Sequence, residues 1–143
     1  MRTSDSTLSP YDYRTLAAFR FALRGFLSFS EAAARAVGLT PRQHQALLGI
    51  KAASIDNTAS VSQLAAFLIL RHNSAVELVD RLEATGLVAR KPDSADRRRV
   101  LLHLTATGEG CLADLSTVHL AELQRIRAEL EDLLDRTKRR GGF

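Results

Sequence analysis

Hydrophobic positions recur every three or four residues along most of this chain, and the runs are separated by short polar or glycine-bearing stretches. Residues 11–37 carry Leu16, Phe19, Leu23, Phe26 and Leu27 at helical spacing, while Phe21 and Phe29 widen the apolar face beyond what one partner helix covers. Such a helix is either buried in its own core or forms a subunit interface. After Gly38, Thr40 offers an N-cap, Pro41 a first helical position and Gln43 the return arm of a capping box, which predicts a second helix to about Ala53. The segment SIDNTA then reads as a loop. Ser60 and Gln63 repeat the capping pattern and open a short helix through Leu64, Ala65 and Leu68.

A fourth helix begins between Arg71 and Ser74 and presents Ala75, Leu78, Val79 and Leu82 on one face, with Gly86 as its stop. Two short helices with a tight connection, the second polar at its start, outline a helix-turn-helix. Leu87–Lys91 and Val100–Thr105 have the residues of short strands, and Pro92, Asp93, Ser94 and Asp96 lie between them, which predicts a hairpin with a polar tip. From Cys111 to Arg140 there is no Pro or Gly, and Leu112, Leu115, Leu123, Ile126, Leu130 and Leu133 keep helical spacing. At about 1.5 Å per residue an unbroken helix there approaches ~45 Å, so it either extends from the compact body or bends into two pieces. The closing TKRRGGF reads as a frayed basic tail.

Composition narrows the class. With 143 residues, 45% of them hydrophobic, the chain has the size of one domain. The opening MRTSDSTLSPYD lacks the apolar core of a signal peptide, and the run Leu64–Leu70 is too short to span a bilayer, which predicts a cytoplasmic protein without membrane association. The formal net charge is +4, and the distribution matters more than the total. Arg90, Lys91, Arg97, Arg98 and Arg99 against Asp93 and Asp96 give +3 within ten residues. Unpaired guanidiniums have no place in a core, so the hairpin tip is aimed outward at a polyanion. A hairpin following a helix-turn-helix is a wing, shaped to bring arginines to a narrow DNA groove. Asp96 either aligns a neighbouring guanidinium by paired hydrogen bonds or forms an Asx turn, and the two roles are compatible.

Catalytic chemistry finds no footing. Cys111 is the lone cysteine, and His119 lies eight residues along the same helix, about 12 Å away, so the two form no dyad. Cys111 reads as a small buried apolar side chain. His44, His72, His103 and His119 have no metal-ligand spacing, no carboxylates are paired for acid–base work, and no cofactor is expected. His44 and His119 either face a ligand cavity or are structural histidines, the second being favoured.

The order GLTPRQHQALLGI, SVSQLAAFL, LRHNSAVELVDRLEATGLVAR and KPDSADRRRVLLHLTATGEG resembles the MarR family of bacterial winged-helix transcription regulators over about residues 12 to 135. Its most specific pieces are LVDRLEATGLVAR and DRRRVLLHLTATG. The resemblance implies a mainly α fold with a small β-hairpin wing in a single domain spanning 1–143. A winged helix-turn-helix lobe would occupy 40–105, with N- and C-terminal dimerisation helices at 11–37 and 106–140. It implies an obligate homodimer on a pseudo-palindromic operator in double-stranded DNA, acting as a repressor relieved by a small aromatic or phenolic ligand.

Carried over by position, Asn73, Ser74, Val76 and Glu77 would contact base edges and phosphates, with Arg81 on the same helix. Arg98 would be the wing arginine positioned by Asp96, and Arg97 and Arg99 would add backbone contacts. The chain departs from the family pattern twice. Glu77 stands where a basic or uncharged polar residue is usual, and it can accept from a cytosine amino group or pair with Arg81 one turn later. LSTVHLAELQRIRAELEDLLD runs on where a loop and a separate final helix are usual. The rival reading is a winged-helix protein-interaction module without specific DNA binding, which Glu77 and Asp80 favour.

Overall fold

A computed structural model describes residues 7–141. The element order is α1 (Pro10–Ala36), α2 (Pro41–Ser54), α3 (Val61–Leu68), α4 (His72–Ala84), β1 (Val88–Pro92), β2 (Val100–Leu104) and α5 (Ala106–Gly141). The chain divides into two compact units. One is Glu31–Thr117, and the other joins the described residues up to Ser30 with those from Val118 onward.

Local chemistry sets the boundaries within the first unit. Thr40 caps α2 reciprocally: its hydroxyl accepts from the Gln43 amide at 3.1 Å, and Gln43 Oε1 accepts from the Thr40 amide at 3.0 Å. Ser60 accepts from the Gln63 amide at 3.1 Å, but the expected return bond is not made, and Gln63 Oε1 is buried without a hydrogen-bond partner. At four helix ends the chain turns through a left-handed residue: Gly38, Asn57, Ile69 and Gly86. Each is followed by an amide that reaches back five residues, as in Leu39 to Ala34, Thr58 to Ala53, Leu70 to Ala65 and Leu87 to Leu82. Gly86 takes this conformation at no cost because it lacks a Cβ. Ile69 takes it at φ 54°, ψ 50°, with its side chain 92% exposed, and so pays a steric cost that no burial repays.

The hairpin pairs Val88 with Leu104 through to Pro92 with Val100, so the first strand is shifted by one residue at both ends from the predicted Leu87–Lys91 and the second stops one residue short of Thr105. Thr105 then ties the end of the hairpin to the start of α5. Its hydroxyl donates to the Gly86 carbonyl at 2.6 Å and accepts from the Gly108 amide at 3.1 Å, while its own amide donates to the Leu87 carbonyl at 3.0 Å. A Cβ on Gly108 would fall on the Leu87 carbonyl oxygen, which is why this turn of α5 takes glycine. Around these joints Leu47, Ile50, Leu64, Val79, Leu82, Val88, Leu102 and Leu115 are fully buried. Each such side chain contributes about 1.5–3 kcal/mol of transfer free energy.

The second unit is built differently. Ile126 and Leu133 are its buried hydrophobic residues, whereas Leu16, Phe19, Phe21, Leu23 and Leu27 of α1 and Leu120, Leu123 and Leu134 of α5 are exposed. His119 has protein neighbours in this unit: its Nε2 lies 2.8 Å from Ser30 Oγ, and Phe26 and Phe29 meet its ring edge-on at 6.0 and 5.4 Å. Arg125 donates to both carboxylate oxygens of Glu122, at 3.0 and 2.6 Å, which lowers the Glu122 pKa and raises that of Arg125. Residues 106–141 form one uninterrupted helix and not two. Of the predicted basic tail, Gly142 and Phe143 lie outside the described residues.

Candidate nucleic-acid interface

Helix α4 separates its two jobs by angle. Ala75, Leu78, Val79 and Leu82 are buried, as the periodicity predicted. Asn73, Glu77 and Arg81, spaced four apart, form a row on the opposite face, and all three are exposed. Ser74 is exposed on the flank shared with Arg81, and Val76 is half-buried on the flank shared with Asp80 and Glu83. The N-cap residue Arg71 makes no side-chain cap, so the first-turn amides of α4 are not answered by an N-cap side chain as those of α2 and α3 are. Backbone N–H groups at a helix start, with the helix dipole behind them, suit phosphate oxygens. Arg71 and His72 are exposed beside them, and the periodicity alone did not single them out.

Glu77 and Arg81 make no ion pair among the described residues, which removes the intrahelical pairing considered for Glu77. The carboxylates on this helix that are engaged are Asp80 and Glu83. Both meet Arg90 of β1, at 2.7 and 3.0 Å. Arg90 is therefore not part of the free charge counted for the hairpin, and the signal that could have found it is a pair of acids one turn apart on the polar side of α4.

The wing tip is built by two aspartates acting on the backbone. The Asp93 carboxylate accepts from the Ala95 amide at 2.9 Å, and the Asp96 carboxylate accepts from the Arg98 amide at 3.1 Å. The Asp93 amide donates to the Arg99 carbonyl at 2.8 Å and the Arg99 amide to the Asp96 carbonyl at 3.0 Å, closing the loop. Asp96 is thus the maker of an Asx turn, and no guanidinium reaches its carboxylate. A short acceptor two residues from the amide satisfies the backbone first, which leaves the arginine side chain free. Arg97, Arg98 and Arg99 are all exposed, with no protein partner for any of the three guanidiniums among the described residues. Lys91, Leu101 and His103 share the face of the hairpin opposite Val88 and Leu102 and, with Arg99 and Asn57, line an open depression.

Other chemistry recedes. Cys111 packs against the lobe core, and burial first, then the Asp114 charge, raise its thiol pKa, which makes it a poor nucleophile near neutrality. His44 is buried within α2. Among the described residues no group of three or more His, Cys, Asp or Glu could hold a metal ion, and no helix is long and apolar enough to cross a membrane.

Residues 37–99 match the sequence model of the MarR family. A protein of Thauera aromatica, whose name assigns it to transcriptional regulation of the hcr operon, is 31% identical over 79% of this chain and 66% of its own length. The transcriptional activatory protein BadR of Rhodopseudomonas palustris is 36% identical over 53% of this chain and 43% of its own length. The chain thus spans less than two thirds of either relative. The crystal structure of a Staphylococcus aureus MepR–DNA complex superposes with a TM-score of 0.63 at 18% identity, covering 83% of this chain and 93% of that one. That likeness concerns the fold.

Proposed function

Because this chain belongs to the MarR family, we propose that it is a homodimeric DNA-binding regulator of transcription that lays α4 in the major groove and its wing on the flanking minor groove. The observation that carries this reading is the pair of uncommitted surfaces on one lobe: the row Asn73, Glu77 and Arg81 with Ser74 at the start of α4, and the guanidiniums of Arg97, Arg98 and Arg99 at a tip shaped by Asx turns. Val76 adds an apolar contact suited to a thymine methyl, and Glu77 reads a cytosine amino group. The exposed apolar faces of α1 and α5 are covered by the second copy. Two lobes related by a two-fold axis read half-sites about one helical turn apart. Occupancy of the operator represses transcription. A small aromatic acid releases the protein by favouring a dimer whose half-site spacing no longer matches.

The test begins with selection of bound duplexes from a random pool, followed by titration at two salt concentrations. Arg98→Ala should weaken binding to every duplex and lower the salt slope by about one unit per subunit, because one phosphate or groove contact is lost. Protein that stays monomeric at micromolar concentration, or binds no duplex in dilute buffer, ends this reading. A reporter assay gives the sign of control, and a melting-temperature screen against small aromatic acids tests the release step.

A further inference from the structure

The wing and the recognition helix must meet DNA together, yet only Thr85, Gly86 and Leu87 connect α4 to β1. The near end of the hairpin is well anchored. The Leu102 amide donates to the Ala59 carbonyl at 2.7 Å, and Thr105 holds both Gly86 and Leu87. Farther out the anchoring stops. Among the described residues, and apart from the ladder between β1 and β2 itself, the hydrogen bonds or ion pairs running from residues 90–100 to the rest of the lobe are the two made by Arg90.

We propose that Arg90 is a positioning residue, gripping Asp80 and Glu83 so that the wing keeps a fixed angle to the recognition helix, and is not itself a DNA contact. This rests on the DNA-binding reading above. One Arg90 nitrogen, Nη2, meets Asp80 Oδ1 at 2.7 Å, and the other, Nη1, meets Glu83 Oε1 at 3.0 Å. The acids stand one turn apart on α4, a spacing that the rigid guanidinium fork spans and a single ammonium does not. Arg90 is the more enclosed partner, with its side chain 27% exposed against 59% for Asp80 and 46% for Glu83. Both Nη atoms are engaged by carboxylates, so the positive charge is already answered within the lobe. The grip also lowers the charge of the two acids from −2 to a net −1 on a helix that approaches DNA.

The two roles for Arg90 differ in sign when its partners change. Removing acids from a DNA-binding surface strengthens binding if electrostatics alone acts. Removing them from a clamp weakens it. The variants are Arg90→Lys, which keeps the charge but loses the fork, and Asp80→Asn combined with Glu83→Gln, which loses the acids. Each is titrated against the selected duplex at several salt concentrations, with circular dichroism confirming the fold. The clamp requires both variants to bind roughly three- to tenfold more weakly with the salt slope unchanged. Combined, the two sets should cost no more than either alone, because they break one device.

Unchanged or tighter binding by the double acid variant overturns the proposal. So does a salt slope lowered by about one unit per subunit in Arg90→Lys, the mark of a lost phosphate contact. Hydrogen exchange of the free protein supplies a readout that does not depend on DNA. Arg90→Lys should speed exchange at the Asp93 and Arg99 amides while α4 stays protected, and unchanged exchange there counts against the clamp. If the unaltered protein binds no duplex, the functional reading fails while the exchange comparison still decides the clamp.

Discussion

The lobe of residues 31–117 and the pair of helix segments beyond it are made from similar residue types but stand differently toward water. In the lobe Leu47, Ile50, Leu64, Leu82, Leu102 and Leu115 are fully enclosed, and the joints between elements are fixed by caps, left-handed turns or, at the wing tip, Asx turns. In the helix segments Phe21 is 75% exposed and Leu120 64%, with Ile126 and Leu133 enclosed. Helical periodicity reads the same in both, because it reports that a face is apolar and says nothing of what lies against it. The lobe encloses a core of its own, with Ile55, Phe67 and Ile69 exposed at its surface, whereas the helix segments carry an apolar face that is largely exposed. Large exposed apolar patches mark interaction sites, and here the second copy is the proposed cover.

That contrast breaks most visibly under charge. Leu16→Glu combined with Leu27→Glu should abolish the dimer in analytical ultracentrifugation. A carboxylate buried without a partner costs several kcal/mol, whereas the same change on a face that stays wet costs almost nothing. The lobe should keep its hydrogen-exchange protection. An unchanged oligomeric state would show that this face is not the interface. Next in size, Leu82→Ala should destabilise the lobe by about 2–5 kcal/mol in denaturant titrations, since Leu82 is fully buried and its loss leaves a cavity. A cost under about 1 kcal/mol would mean that the lobe is less tightly packed than its enclosure implies. The smallest change has the opposite sign. Ile69→Gly should raise stability by about 1 kcal/mol, because an exposed β-branched residue in a left-handed turn is strained and glycine there is not. Destabilisation instead would mean that the Ile69 side chain packs against a surface supplied by another molecule.

Much of the site was legible from local pattern. The buried stripe of α4, the Thr40 cap, the Gly86 stop and the exposed arginines follow from spacing and turn chemistry, which operate over three or four residues. What escaped involved partners separated by more sequence or choices between equal acceptors. Arg90 was counted as free charge because its acids lie seven and ten residues away, across a turn. Asp96 had two partners within reach, the Arg98 amide and its guanidinium, and the structure uses the amide. Gln63 has the residue type for a capping box but not the bond, and Ile69 sits where sequence gives no reason to look for a left-handed residue.

By itself the sequence determined which segments become helices and strands, which face of each is apolar, and that a cluster of arginines must sit in water. These are properties of neighbouring residues and of transfer from water to oil, so they survive without knowledge of the fold. Tertiary structure alone decided which charges cancel, that residues 106–141 continue as one helix, and that the lobe closes its core while the helix segments do not. Pairing and enclosure depend on what the chain brings together across long separations, where many arrangements share one local pattern.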